Sequence, residues 1–421
     1  MSLHVSNLAA LRHRDFRRLM LGTLCSTGGQ WVQSATLGWV VYDLTQSDSL
    51  LGAVLSMRAI PMLLLAPISG VVADRYDRRR ALAASQLIVV FVSFAIAAGL
   101  ALDRVQVWHL FAFTLLSGVG MVFDRTLRNT LVFGTVPRTD VANAVALNSI
   151  AFSVMRTLGP AAAGFIIAWA GAAWNFLLQG MLYLFVAAIA ITLNTPFETA
   201  RRKSHATARA DMLEGLRYAV TDPVARMMML LGMVPALLLI PSLSALMPIF
   251  AVNVFRTGPE GLGLMLSAVG AGGVVGGIVS VWTARMERIG RTQVLAVLVF
   301  AGAMIGFALS PHIGVAALFL FIAGIAEMIN MSSNHTALQM NAPLAMRGRV
   351  ASLLPMFPAL MALGALSSGA CADWLGAPGA VIIMALLAAL IVITAWLRSG
   401  ALRALRLSKL VAGDADTHSH A

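Results

Sequence analysis

Charge is what this sequence most lacks. Only 11% of its 421 residues are Asp, Glu, Lys or Arg, less than half of the roughly 25% in an ordinary soluble domain. Hydrophobic residues make up 59%, and mean hydropathy is +0.84. So little polar surface cannot cover so much apolar side chain, which excludes a water-soluble globular enzyme; the same numbers exclude a disordered chain. Cysteine is scarce as well. Cys25 and Cys371 stand in apolar stretches, too few for a disulfide framework and without metal-ligand spacing. Lys203 and Lys409 are the only lysines among 30 basic residues. No Walker loop, metal-ligand cluster or nucleophile elbow occurs, so nothing points to ATP-driven transport, to membrane-bound hydrolysis or to a bound cofactor.

What the chain has instead is apolar runs long enough to cross a bilayer. A span with its loop takes about 30–35 residues, so the length allows roughly twelve. They fall near 19–42, 49–72, 81–102, 106–126, 144–169, 173–194, 227–252, 261–284, 293–310, 313–340, 350–372 and 377–397. The first is too long for a cleavable signal and is followed at once by another span. A net charge of +12 would suggest nucleic acid in a soluble protein, but here the placement of the charge decides. With the N-terminus inside, 26 basic residues fall in cytoplasmic segments and only Arg104 and Arg256 in outer loops, leaving Arg58 and Arg156 inside spans. The asymmetry predicts twelve spans with both termini cytoplasmic and the lipid bilayer, not nucleic acid, as partner.

The longest polar stretch, 195–223, divides the spans six and six. The expected organisation is an N-terminal half over 1–194, a cytoplasmic linker over 195–223, a C-terminal half over 224–400 and a cytoplasmic tail over 401–421. Within the linker Met212, Leu213, Leu216 and Val220 fall at helical spacing, as in an amphipathic helix on the membrane surface. It can tie the halves together, regulate, or do both. The halves repeat. Asp74-Arg75 with Arg78 after span two is echoed by Glu287-Arg288 with Arg291 after span eight, and Val136-Pro137 after span four by Ala342-Pro343 after span ten. Duplicated six-span halves are what a secondary transporter looks like.

Gly70-x-x-x-Asp74-Arg75-x-x-Arg78-Arg79 between spans two and three resembles the signature loop of the major facilitator superfamily, with Asp77 where most members have Gly. Asp15-Phe16-Arg17, Gly38-Trp39, Phe123-Asp124 with Arg128, Gly159-Pro160, Glu214-Gly215 and Arg347-Gly348-Arg349-Val350 narrow the resemblance. They are similar to the bacterial exporter branch that includes the enterobactin exporter and macrolide-efflux proteins. The resemblance implies an all-α membrane protein of twelve transmembrane helices in two pseudo-symmetric six-helix halves. It implies a transporter, not an enzyme, in the bacterial inner membrane. Such a protein, a monomer, exports an amphipathic small molecule, siderophore or drug, by alternating access. The proton gradient drives it, and no cofactor or metal is needed. A proton-coupled importer, or a non-transporting receptor or scaffold on the same fold, are the alternatives.

The residues themselves suggest roles. A carboxylate such as Asp74, beside arginines, can cap a neighbouring helix and pair with an Arg of another span, so Gly70, Asp74, Arg75 and Arg78 read as a cytoplasmic gate. Glu287, Arg288 and Arg291 form a weaker copy, with Thr283 where Gly is expected. Arg79 and Arg80 read as topology markers. Gly159, Pro160 and Gly164 in span five resemble the Gly-Pro motif of drug–proton antiporters, and can bend the helix and admit a close neighbour. Charges inside spans cost about 2.5–3.5 kcal/mol each at the bilayer centre. Arg58 falls in the outer half of span two, Arg156 near the middle of span five, and Glu327 near the middle of span ten, the one acid well inside any span. A carboxylate in low dielectric favours its neutral form and can carry a proton. Glu327 is therefore either a proton- or cation-binding group or half of a permanent Glu–Arg pair. Asp124 and Arg128 are expected at the cytoplasmic mouth, as a gate or as a structural i,i+4 pair. Polar stripes, with Gln30 and Gln33 on span one and Asn330, Asn334 and His335 on span ten, should face a wet cavity or another helix. His335 alone reads more readily as a packed residue than as a ligand.

Overall fold

A computed structural model describes residues 9–194, 217–218, 220–283, 286–341 and 356–405. Among them every regular element is helical. In chain order these are α1 (Arg14–Thr45), α2 (Asp48–Ser56), α3 (Ala59–Arg75), α4 (Arg78–Ala101), α5 (Val107–Thr135), α6 (Val141–Ala170) and α7 (Ala172–Thr192). Then come α8 (Pro223–Val234), α9 (Ile240–Ile249), α10 (Gly258–Thr283), α11 (Ile289–Ala308), α12 (Ile313–Asn341), α13 (Met356–Arg398) and the short α14 (Gly400–Ala404). Ten stretches are long and apolar enough to cross a membrane. One of them holds both arms of α13, which turns at Gly376 (φ +70°). With that helix counted as two, and with α1, whose polar stripe keeps its hydropathy low, the described residues make twelve spans.

Local chemistry sets several boundaries. Asp77 caps α4, its side chain accepting from the Arg79 N–H at 2.9 Å. Asp222 caps α8, accepting from the Ala225 N–H at 2.6 Å with Pro223 in the first turn. Gly171, at φ +91°, separates α6 from α7 in a conformation few L-residues adopt. Span two differs from the expected continuous run: it breaks at Met57–Arg58 into α2 and α3. Span seven is interrupted by π-helical turns at Pro235–Leu239 and Phe250–Val254, in a stretch where Pro235, Pro241 and Pro248 each remove an N–H donor.

The described residues group into two compact units, which differ from a simple six-and-six division. The first holds α1, α3 to α7 and the first ten residues of α10 (Gly258–Ser267); the second holds α2 and everything from α8 onward except that piece of α10. Missing Cβ atoms explain the two exchanged segments. In the first unit Gly164 of α6 lies against the Pro259 carbonyl and Gly263, and Gly263 against the Pro160 carbonyl. In the second unit Gly52 of α2 lies against the Ala365 carbonyl of α13, and Gly369 of α13 against the Asp48 carbonyl. Backbones approach this closely only where side chains are absent. Most of the predicted linker helix, Arg347-Gly348-Arg349 and the tail beyond residue 405 lie outside the described residues.

Candidate functional site

The interior of the first unit holds a polar network built mainly from uncharged side chains. Asn175 and Gln179 stand one turn apart on α7. Asn175 Nδ2 donates to Thr36 Oγ1 of α1 at 2.8 Å and to the Ala163 carbonyl of α6 at 3.0 Å. Gln179 Nε2 donates to Gln33 Oε1 of α1, whose Nε2 donates to Ser117 Oγ of α5 at 3.0 Å. Gln30 Nε2 reaches Met121 Sδ at 3.5 Å. Lipid offers such groups no partner, so they hold each other and fix how α1, α5 and α7 meet.

Asp124 belongs to the same interior. After Asp124, α5 continues to Thr135. The carboxylate accepts from Gln86 Nε2 of α4 at 2.9 Å and from the Arg128 guanidinium. Arg128 is buried, with Nη1 against Gly22 of α1. Pairing neutralises the two charges, and the helix continues past them. Arg58 stands at the break in span two, as the N-cap of α3, where Gly118 of α5 lets Pro61 and the Arg58 backbone come close. Arg156 of α6 lies over the Trp31 indole at 5.7 Å, a cation–π contact, and Gly159 makes room for Trp31 Cβ.

In the signature loop, bonds among the described residues are made by Asp77, Arg78 and Arg79. Arg79 Nε and Nη2 donate to the Asp77 carboxylate at 3.2 and 3.0 Å, and Arg79 Nη1 donates to the Leu193 carbonyl at 2.8 Å. The bond from the Arg79 side chain is the main cause holding Asp77 below the usual carboxylate range. Arg78 Nε donates to the Ala73 carbonyl at 3.1 Å, and Arg75 is exposed. Gly70 faces open space, and the Asp74 side chain lies outside the described residues. In the repeat, Glu287, Arg288 and Arg291 are exposed, and Arg288 precedes α11 without a side-chain cap bond.

In the second unit Glu327 is the central residue of α12 and is buried. Asn334 Nδ2, on the same helix, donates to the Met228 carbonyl of α8 at 2.7 Å, and Asn330 Nδ2 to the Leu231 carbonyl at 3.4 Å. His335 is half-buried. At the end of α12, Asn341 Nδ2 donates to Asp222 Oδ1 at 2.9 Å and to the Tyr218 oxygen at 3.0 Å, while the Tyr218 hydroxyl donates to the Asn341 carbonyl. Burial first, then the Asp222 charge, push Tyr218 up to about 12. No group of three metal-ligating side chains is found among the described residues. Asp77, Gln86, Ser117, Asn175, Gln179 and Tyr218 were missed as contact-makers. Their signals were amides inside apolar runs and an Asp at a helix start.

Residues 5–414 match the family model described as transmembrane secretion effector. The chain is 23% identical to the staphyloferrin A transporter of Staphylococcus aureus, over 83% of this chain and 87% of that one. It is 25% identical to the multidrug efflux pump Tap of Mycolicibacterium fortuitum, over 85% and 89%, and 24% identical to the enterobactin exporter EntS of Shigella boydii, over 82% of each. Among solved structures, the nucleoside transporter NupG matches with a TM-score of 0.73 at 15% identity, over 92% of this chain and 100% of that one. A bacterial homolog of the human lysosomal transporter Spinster matches with a TM-score of 0.69 at 15% identity, over 92% and 95%. At those identities the structural likeness speaks for the fold alone.

Proposed function

The chain belongs to the transmembrane secretion effector family of the major facilitator superfamily, and from that premise we propose that it exports an amphipathic siderophore or drug against proton entry. The observation that carries this reading is Glu327, a buried carboxylate at the centre of a membrane-crossing helix. Antiport needs a group that changes charge within the cycle, and arginine cannot do so. Glu327 takes a proton from outside, and substrate and proton leave it in turn as access alternates. The named relatives support export: an enterobactin exporter, a multidrug efflux pump and a siderophore transporter. The arginine asymmetry supports both termini in the cytoplasm and a place in the inner membrane. Gly70, Asp74, Arg75 and Arg78 serve as the gate, with Glu287, Arg288 and Arg291 as its repeat. The test is uptake of enterobactin and of ethidium by inside-out vesicles acidified within. Accumulation of either that collapses with nigericin is expected. Accumulation driven only by the opposite gradient contradicts export, and accumulation indifferent to nigericin contradicts proton coupling.

A further inference from the structure

Two exposed stripes run along α6, and they differ in length and in polarity. Ile150, Val154, Leu158, Phe165 and Trp169 are apolar and exposed over most of the helix, as suits a side turned to lipid. Val145, Ser149, Phe152 and Arg156 recur at three- and four-residue spacing on another face. There the exposure stops partway. Val145 is 46% and Phe152 42% exposed, Arg156 is half-buried, and Ala163 and Ile167 farther along the same face are buried. The cover beyond Arg156 is the start of α10: Leu266 packs on the cluster of Val32, Ala35 and Ala163, and Gly164 lies against the Pro259 carbonyl. A guanidinium turned to lipid is costly, so this second stripe faces water. Water then reaches Arg156 from the Val141 end of α6, the end that the arginine asymmetry puts in the cytoplasm.

Three side chains meet where that stripe ends. The Arg156 guanidinium sits over the half-buried Trp31 indole of α1, 5.7 Å from its centroid. The Phe152 ring stands edge to face with the same indole, at 6.1 Å and 67°. Two glycines fix the indole by letting α1 and α6 approach. Gly159 admits the Trp31 Cβ, and Gly28, on the turn before Trp31, admits the Met155 sulfur. A guanidinium carries its N–H groups in its plane and offers flat faces to rings. It can therefore take a second ring whatever its N–H groups hold. Phe152, the most exposed of the three, supplies an apolar wall beside it.

We propose that Arg156, Trp31 and Phe152 form the subsite that takes a flat, electron-rich aromatic ring of the exported molecule. The inference rests on the export reading and adds the substrate's ring to it. A cation is drawn to the electron-rich face of an aromatic ring, and a saturated ring of the same size has no such face. The subsite thus selects for ring character rather than for net charge. Arg156 does not couple, since it keeps its charge throughout the cycle.

The experiment uses the purified full-length protein in nanodiscs. The probes are naphthalene-2,3-diol and its fully saturated counterpart, decahydronaphthalene-2,3-diol, which carries the same hydroxyls on a ring system without π electrons. Binding is read by titration calorimetry, with the heat of empty nanodiscs subtracted. The wild type should bind the aromatic diol roughly threefold or more tighter than the saturated one. Arg156→Gln should raise the Kd of the aromatic diol roughly two- to thirtyfold, the range of one cation–π contact, and leave that of the saturated diol unchanged. Arg156→Lys, which keeps the charge and loses the flat face, should lie between. Phe152→Leu, which keeps apolar bulk and loses the ring, should weaken the aromatic diol by less. The proposal is overturned if the aromatic diol does not bind the wild type or binds no better than the saturated one. It is overturned equally if a folded Arg156→Gln protein keeps the full preference or, where that variant does not fold, if both Arg156→Lys and Phe152→Leu keep it. Nigericin-sensitive vesicle uptake fails or succeeds separately. A ring preference lost in Arg156→Gln, without such uptake by the wild type, sinks the export reading and leaves the subsite; uptake alongside equal binding of the two diols does the reverse.

Discussion

In the first unit a half-buried acid has a fixed partner: Asp124 is held by Arg128 one turn along α5 and by Gln86 of α4. In the second, α12 carries Glu327 at its centre and no Lys or Arg anywhere along its length. Gln293 of α11, wholly buried like Gln86, has neither amide atom hydrogen-bonded among the described residues. The same architecture thus contains one acid paired with an arginine of its own helix and another whose helix carries no Lys or Arg. A locked carboxylate stabilises packing and loses its use as a proton carrier, because protonation would strand a buried arginine. On the proposed reading, Asp124 serves structure and Glu327 serves coupling.

That contrast can be broken from either side. Met331→Arg, one turn beyond Glu327, would copy the Asp124–Arg128 arrangement into α12. It should lower pH-driven efflux by roughly tenfold or more, a barrier of about 1.4 kcal/mol, while exchange at equal pH persists; undiminished gradient-driven efflux in vesicles would show that a fixed partner does not matter. Asp124→Asn should destabilise the protein by about 3 kcal/mol by leaving Arg128 unpaired. Arg128→Gln added to it should restore part of the loss, and thermal unfolding in detergent reads both. An Asp124→Asn protein as stable as wild type would remove the structural assignment.

Much of the fold was legible because bilayer thickness and arginine placement leave few solutions: the predicted runs coincide with the helices to within a few residues at most ends. The failures have physical causes. The apolar run of span four ends near residue 126 because hydropathy counts Asp124 and Arg128 as charges, whereas the helix α5 pairs them and continues to Thr135. The break at Arg58 was written in an arginine followed by Pro61, but hydropathy averages over such a signal. Gln179 and Asn175 were hidden because a buried amide reveals its partner only in three dimensions. In the signature loop, attention went to the resemblance and so to Asp74. The helix-start position of Asp77 was there to be read from capping preferences alone.

The smallest effect tests that loop. Asp77→Ala should cost about 1 kcal/mol at neutral pH, the usual value of a cap, with the exposed Arg79 pair adding little. The folded protein holds Asp77 below its ordinary range. Its contribution is therefore present above that range and disappears as pH falls through the lowered folded value. The difference in unfolding midpoint between Asp77→Ala and wild type should shrink on acidification; a difference that grew would refute the assignment.

The most direct measurement of coupling is made on Glu327→Gln in proteoliposomes, with pH-driven efflux and equal-pH exchange of one substrate recorded on the same preparation. The amide mimics the protonated acid and cannot release a proton. Lost uphill efflux with surviving exchange is the predicted result. Full pH-driven efflux by a well-folded Glu327→Gln protein would contradict it and return the search to Asp124 and His335.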